Sequence, residues 1–179
     1  MILKIHEKNI VCFNIWLHYL PDYFNNSKIL SAAELIEAER STRYREIKSI
    51  LEEINPFIEN ADKVPVIIGG DFNSGSHLDW IENTRQLHYD KVVEWPVSKN
   101  MQLHGFKDSF REIHPDPLKY PAGTWGGFLF DNMISDRIDY IYYKGKVLQA
   151  INSQIIKDNP PDGFFNSDHR AVLTVFQLN

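Results

Sequence analysis

Apolar residues recur along this chain with two different periods, and each period predicts one type of secondary structure. Within 31–54, residues such as Ile47, Leu51 and Ile54 are three or four positions apart and fall on one helical face. Pro56 follows, and a proline at this position ends a helix. The pattern therefore predicts one long helix over 31–54.

Shorter apolar runs bounded by turn residues are typical of strands. The predicted strands are 2–5, 10–17, 63–70, 137–143, 146–156 and 171–178. Turns at 6–9 and 144–145 should join neighbouring strands as hairpins, and 158–165 is a predicted loop. Shorter helices are expected at 77–87 and 106–113. Strands with antiparallel or mixed pairing, together with these helices, indicate a layered α+β or α/β fold.

The composition leaves the predicted fold unchanged, but the net charge limits the kinds of partner that the chain could bind. The chain has 179 residues, 43% of them hydrophobic and 24% charged, which fits a single globular domain over 1–179. The formal net charge is −5, whereas a protein that grips duplex DNA usually has a basic face. We therefore expect a small or locally bound substrate, and no extensive duplex binding. No apolar stretch reaches the length of a membrane span, and neither a signal peptide nor a compartment is indicated.

Polar residues cluster where predicted strands begin or end. Segment 69–73 reads Gly-Gly-Asp-Phe-Asn, 136–140 reads Asp-Arg-Ile-Asp-Tyr, and 167–170 reads Ser-Asp-His-Arg. A further candidate is 14–18, which ends in a histidine. Side chains two positions apart in an extended chain point to the same side, so the aspartate and asparagine of 69–73 can converge on one point.

These clusters suggest phosphoester hydrolysis, which needs a metal ion, a base and donors for the phosphoryl oxygens. Asp71 and Asp168 are candidate metal ligands, because hard divalent cations prefer carboxylate oxygen. His169 is a candidate base, since imidazole titrates near neutral pH. Asp139 is the candidate carboxylate that orients this histidine.

Asn73 and His18 are the candidate donors to phosphate oxygens. Each cluster also has a structural interpretation, as a turn, a solvated loop, or an ion pair between Arg137 and Asp139 on a sheet. Three clusters in sequence, each joined to a strand, favour the functional interpretation over three independent structural ones.

The same segments resemble the endonuclease/exonuclease/phosphatase superfamily. Segments 69–73, 136–141 and 167–172 look like three of its motifs, in the same order, and these three are highly specific. Segment 13–19 is similar to its Asn-x-His-Leu strand with altered spacing. The remaining similar segments are 108–111 and 123–125. The resemblance implies a DNase I-like sandwich of two β-sheets flanked by helices, and hydrolysis that depends on Mg²⁺ or Mn²⁺.

The resemblance also implies a role for each candidate residue. Asp71 activates or positions water, Asn73 contacts phosphate, Asp168 binds metal, His169 acts on phosphate or water, Asp139 pairs with His169, and His18 contacts phosphate. It leaves open how Asp71 and His169 divide the proton transfer.

One part of the family pattern has no counterpart here. An early strand with an asparagine and a later segment with a metal-binding glutamate should precede 10–17. Glu7 is the only carboxylate before that strand, and its place in the turn does not suit the role. The chain therefore resembles the C-terminal two-thirds of a member. We expect weak Mg²⁺ binding, low activity and an exposed sheet edge that a second copy, a partner or the missing segment could cover.

Two functions remain open at this stage. The first is a metal-dependent phosphodiesterase or phosphatase, acting on nucleic acid, a nucleotide, an inositol phosphate, a sphingolipid head group or a sugar phosphate. The second is a catalytically inactive remnant that serves as an interaction module.

Overall fold

A computed structural model describes residues 1–5, 7–127, 133–157 and 167–179. Six α-helices lie in these ranges: α1 (Tyr23–Asn26), α2 (Ala32–Arg40), α3 (Arg43–Glu53), α4 (Asn55–Glu59), α5 (Pro96–Leu103) and α6 (Ser109–Ile113). Nine strands lie there too: β1 (Ile2–Ile5), β2 (Lys8–Trp16), β3 (Val66–Asp71), β4 (Lys107–Asp108), β5 (Trp125–Gly126), β6 (Ser135–Asp136), β7 (Asp139–Lys144), β8 (Leu148–Ile156) and β9 (Ala171–Leu178). A 3₁₀ helix covers Glu82–His88.

The main sheet has the strand order β1-β2-β3-β7-β4. Strand β2 runs parallel to β3, whereas the other pairs in this sheet are antiparallel. Strands β8 and β9 form a second, antiparallel sheet, and β5 and β6 form a short ribbon. The sequence prediction of mixed pairing is confirmed.

Both faces of the main sheet are covered. On one face, Val66 and Ile68 of β3 pack with Ile47 of α3 and Met101 of α5. On the other face, a smaller cluster around Tyr143 joins the main sheet to β8 and β9. The layers are therefore helices, main sheet and second sheet, which confirms the predicted mixed α/β class.

The long helix predicted over 31–54 is wrong in one respect, because it is divided into α2 and α3. The break is at Ser41 and Thr42, and Thr42 has φ −130° and ψ −98°. Both hydroxyl groups donate to the Ala38 carbonyl, at 2.8 and 3.1 Å. Such bonds satisfy the end of α2 and compete with continuation of the helix.

Three further elements differ from the sequence predictions. The predicted hairpin of 137–143 with 146–156 is wrong, because β7 pairs with β3 and β4 while β8 pairs with β9. The helix expected at 77–87 is wrong, because this region forms turns and part of the 3₁₀ helix, and 92–105, for which no element is predicted, contains α5. Proline favours the first helical turn, and Pro96 occupies it in α5. The hairpin of β1 and β2 is confirmed, although position 6 of its turn and the loop at 158–165 lie outside the described residues.

Apolar side chains remain exposed on the second sheet, including Ile151, Leu173 and Val175 at 50%, 46% and 44% exposure. What covers this face stays a prediction. Among the helices in the described ranges, none is both long and apolar enough to cross a membrane.

Candidate active site

A cavity of about 230 Å³ opens where β2 and β3 of the main sheet end. Trp16, Asp71 and Asp139 lie next to one another there, in register across β2, β3 and β7. Gly70 permits the close approach of β2 and β3, since its φ of 141° and the adjacent Ile15 carbonyl leave no room for a side chain. The polar residues that line the cavity are Asp22, Asp71, Asn73, Asp168 and His169.

Asp71 and Asn73 converge as their spacing predicts. The Asn73 backbone N–H donates to Asp71 Oδ1 at 2.8 Å, and Asn73 Nδ2 donates to Asp71 Oδ2 at 3.0 Å. The same Nδ2 donates to the Leu17 carbonyl at 2.9 Å. In this state Asn73 therefore orients Asp71 and ties it to the end of β2.

His169 and Asp139 form the second part of the site. His169 Nδ1 lies 2.9 Å from Asp139 Oδ2, and 30% of the histidine side chain is exposed. The hydrogen bond to Asp139 raises the pKa of His169 above its ordinary value, against the opposing effect of burial. Because Nδ1 faces Asp139, Nε2 is the ring nitrogen available to a substrate. Thr124 fixes the backbone of Asp139, because the Thr124 hydroxyl oxygen accepts a hydrogen bond from the Asp139 N–H at 3.2 Å.

Asp168 is oriented by an indole. Trp125 Nε1 donates to Asp168 Oδ2 at 3.0 Å, and this bond holds the pKa of Asp168 below its ordinary value. The Trp125 ring also packs edge-on against Phe24, with 4.7 Å between ring centroids. The indole is therefore fixed from two sides, and it keeps Asp168 ionised.

Asp71 has the opposite electrostatic environment. Burial raises its pKa to about 6, and hydrogen bonds from Asn73 and Trp16 oppose this rise in part. The nearby Asp139 carboxylate adds to the rise. Two carboxylates in one cavity thus differ in their affinity for a proton, which is typical of sites that divide acid and base roles.

The structure does not bring His18 into the cavity lining. Strand β2 ends at Trp16, so the alternation of side chains along the strand does not extend to His18. The His18 N–H donates instead to Glu46 Oε2 at 2.8 Å, and the residue is exposed. Trp16, two positions after Asn14, lines the cavity in its place. Residues 14–17 keep the spacing of the family's Asn-x-His-Leu strand, with tryptophan in the position of the histidine. This spacing was the signal in the sequence that points to Trp16.

Arg137 has a structural role, but not the one that the sequence suggested. The ion pair between Arg137 and Asp139, which the sequence allowed as a structural interpretation, is wrong. Arg137 Nη1 donates to Asp108 at 2.6 Å and Nη2 donates to Asp79 at 2.9 Å, and only 2% of its side chain is exposed. Asp79 also pairs with Arg111. Asp139 is thereby left to pair with His169.

The donor chemistry of the cavity fits a weakly held hard cation. Mg²⁺ is commonly bound by one or two carboxylates together with substrate phosphate and water, and Asp71 and Asp168 supply two carboxylates. Within the described ranges, no group of three or more His, Cys, Asp or Glu side chains is arranged to hold a metal ion. Protein side chains alone would therefore enclose a cation incompletely.

Comparisons with known proteins show the family to which this chain is similar. The family model described as the Endonuclease/Exonuclease/phosphatase family matches residues 22–169. An uncharacterised protein of Caenorhabditis elegans is 35% identical over 140 residues, which cover 73% of this chain and 45% of that protein. The CCR4-Not complex 3′-5′-exoribonuclease subunit Ccr4 of Candida albicans is 28% identical over 98% of this chain and 22% of its own length. The chain therefore spans less than half of either relative.

Solved structures show the same fold. The D. rerio TDP2 structure, complexed with a single-strand DNA product, aligns with a TM-score of 0.59 over 98% of this chain and 59% of that chain, at 14% identity. This similarity confirms the DNase I-like architecture.

Proposed function

Because this chain belongs to the Endonuclease/Exonuclease/phosphatase family, whose members are in general hydrolytic phosphoesterases and nucleases, we propose that its cavity hydrolyses a phosphoester bond. One observation carries the proposal. His169 is oriented by Asp139 at 2.9 Å, and it lines the same cavity as Asp71 and Asp168. This combination supplies a proton donor, a proton acceptor and hard ligands around one point.

The pKa shifts favour a division of roles. The hydrogen bond to Asp139 raises the pKa of His169, which favours its protonated form, and its Nε2–H would donate to a phosphoryl oxygen where negative charge develops. Asp71, with a pKa of about 6, is ionised at neutral pH and still basic enough to accept a proton from water. Asn73 would hold Asp71 in position, which differs from the phosphate contact that the resemblance implies for it.

Mg²⁺ or Mn²⁺ is the proposed cofactor, as is general in this family. Asp71 and Asp168 would hold the ion, and its positive charge would neutralise phosphoryl oxygens. With two carboxylates as protein ligands, we expect weak binding and low activity in this chain.

The substrate is proposed to be small or bound locally at the cavity. The net charge of −5 disfavours a long contact with polyanions. The Candida relative is named as an exoribonuclease and the TDP2 structure contains single-strand DNA product, so nucleotide-bearing phosphoesters are the first class to test.

A second function is favoured by one specific observation. The exposed apolar side chains Ile151, Leu173 and Val175 lie on the second sheet, and such a surface is typical of an interaction site. In this alternative the chain is an inactive remnant that acts as an interaction module. A second copy, a partner or a front segment would cover the sheet.

A panel of phosphodiesters and phosphomonoesters with Mg²⁺ or Mn²⁺ tests the proposal. We expect slow, metal-dependent turnover of at least one substrate, and its loss in Asp168→Ala. Turnover that persists in Asp168→Ala would be assigned to a contaminant and would count against the proposal. Complete inactivity, also after extension of the chain at its N terminus, would favour the interaction module.

A further inference from the structure

Two aromatic side chains at the cavity are unusually exposed. Trp16 is 78% exposed and Tyr19 is 56% exposed, whereas Trp80 and Trp95 are fully buried. An exposed indole at a cavity mouth leaves a large apolar face without a partner, and covering it with a ligand is favourable.

Both rings stand on a fixed backbone. Trp16 ends β2 in register with Asp71, and the two strands pair along six residues up to this point. The Tyr19 carbonyl accepts from Arg43 Nη1 at 3.1 Å, and Arg43 is fully buried. A fixed platform loses little conformational entropy when a ligand binds.

The charges of the cavity exclude one common way of binding nucleotides. Of the residues that line it in the described part of the chain, three are aspartates and none is lysine or arginine. His169 is the one side chain there that can become positive. A chain of phosphates therefore finds no row of cations, and binding energy must come largely from the non-phosphate part of the ligand.

We propose that Trp16 and Tyr19 form a stacking platform that selects a phosphoester with a planar nucleobase, such as a mononucleotide or the end of a short single strand. This specificity role rests on the proposed function for its connection with hydrolysis, but binding is measurable without turnover. Base stacking on aromatic side chains tolerates any base, so selection is expected for the presence of a base rather than its identity.

The first test is a nuclear magnetic resonance titration of the 179-residue chain with adenosine 5′-monophosphate and with ribose 5-phosphate. We expect Trp16→Ala to weaken binding of the nucleotide about five- to hundredfold, while binding of the sugar phosphate changes less than about twofold. Trp16→Phe should retain most of the affinity, because it keeps a ring. Tyr120→Ala is the control, since it removes a partly exposed aromatic outside the cavity.

Three results would overturn the platform: no binding of the nucleotide, equal binding of nucleotide and sugar phosphate, or equal weakening of both by Trp16→Ala. Few phosphates are neutralised, so nucleotide affinity should fall less than about threefold between about 50 and 200 mM salt. A steep dependence would also contradict the proposal.

Hydrolysis of a dinucleotide and of its abasic analogue separates the two proposals. Turnover of both at equal efficiency overturns the stacking platform and leaves the proposed function intact. Base-dependent binding without hydrolysis of any substrate overturns the proposed function and supports the platform.

Discussion

Replacement of Arg137 by methionine removes a positive charge from a buried cluster two residues before Asp139. Arg137 donates to Asp79 through Nε at 3.0 Å and through Nη2 at 2.9 Å, and to Asp108 through Nη1 at 2.6 Å. Asp108 also caps α6 by accepting from the Phe110 N–H at 3.0 Å. The guanidinium thus joins the residues just before β7 to two distant segments of the chain.

The magnitude follows from what Arg137→Met leaves behind. Asp79 keeps its contact with Arg111, but Asp108, with 2% of its side chain exposed, loses its charged partner. A buried charge left without its partner costs about 3–5 kcal/mol. Against a typical unfolding free energy of about 5–15 kcal/mol this is a large fraction, and it corresponds to a fall in Tm of about 6–20 °C.

Urea unfolding followed by circular dichroism measures this cost. Arg137→Lys should lie between wild type and Arg137→Met, because it keeps the charge but cannot form the planar, multiply bonded contact. Arg85→Met is the matched control, since Arg85 pairs with Glu82 on the surface at 46% and 71% exposure and should change stability by less than about 0.5 kcal/mol. The reasoning is refuted if Arg137→Met costs less than about 1 kcal/mol.

Three further predictions concern the cavity of the metal-free chain. Asp139→Asn should lower the pKa of His169, which nuclear magnetic resonance can measure. Because a raised pKa stabilises the fold below the unfolded value of about 6.5, this variant should cost more stability near pH 5 than above neutral pH. Equal costs at the two pH values would count against the pairing. Asp71→Asn should stabilise the fold by about 1 kcal/mol above pH 6 after allowance for solvent screening, since burial raises the pKa of Asp71 to about 6; a gain of the same size near pH 4 would contradict this cause. Trp125→Phe should raise the pKa of Asp168, and an unchanged carboxyl titration would exclude the indole as its cause.

Much of the candidate site could be predicted from sequence, because its signals are local. Asp71 ends an apolar strand, Asp139 begins another, and His169 lies two residues before a third. The ends of neighbouring strands lie side by side along one side of a sheet, so polar residues at several strand ends can meet there. The described structure brings Asp71, Asn73, Asp139, Asp168 and His169 together, while their chemical roles remain predictions.

The errors share a physical origin in long-range pairing. Nothing near Arg137 indicates that its partners are Asp79 and Asp108, which lie 58 and 29 positions away. The strand pairing of β7 and β8 was likewise assigned by proximity in sequence, whereas each strand pairs elsewhere. The prediction of His18 rests on the recognisable chemistry of a histidine, and it does not consider Trp16. Because β2 ends at Trp16, Trp16 lines the cavity and His18 does not.

A double-mutant cycle on Asp139 and His169 tests the central claim most directly. Metal-dependent hydrolysis is measured under single turnover for wild type, Asp139→Asn, His169→Gln and the double variant. If Asp139 acts by orienting and charging His169, the double variant should be no slower than His169→Gln, because residues that act as a unit are not additive. Rates that fall additively, or hydrolysis that His169→Gln leaves unchanged, would contradict the account.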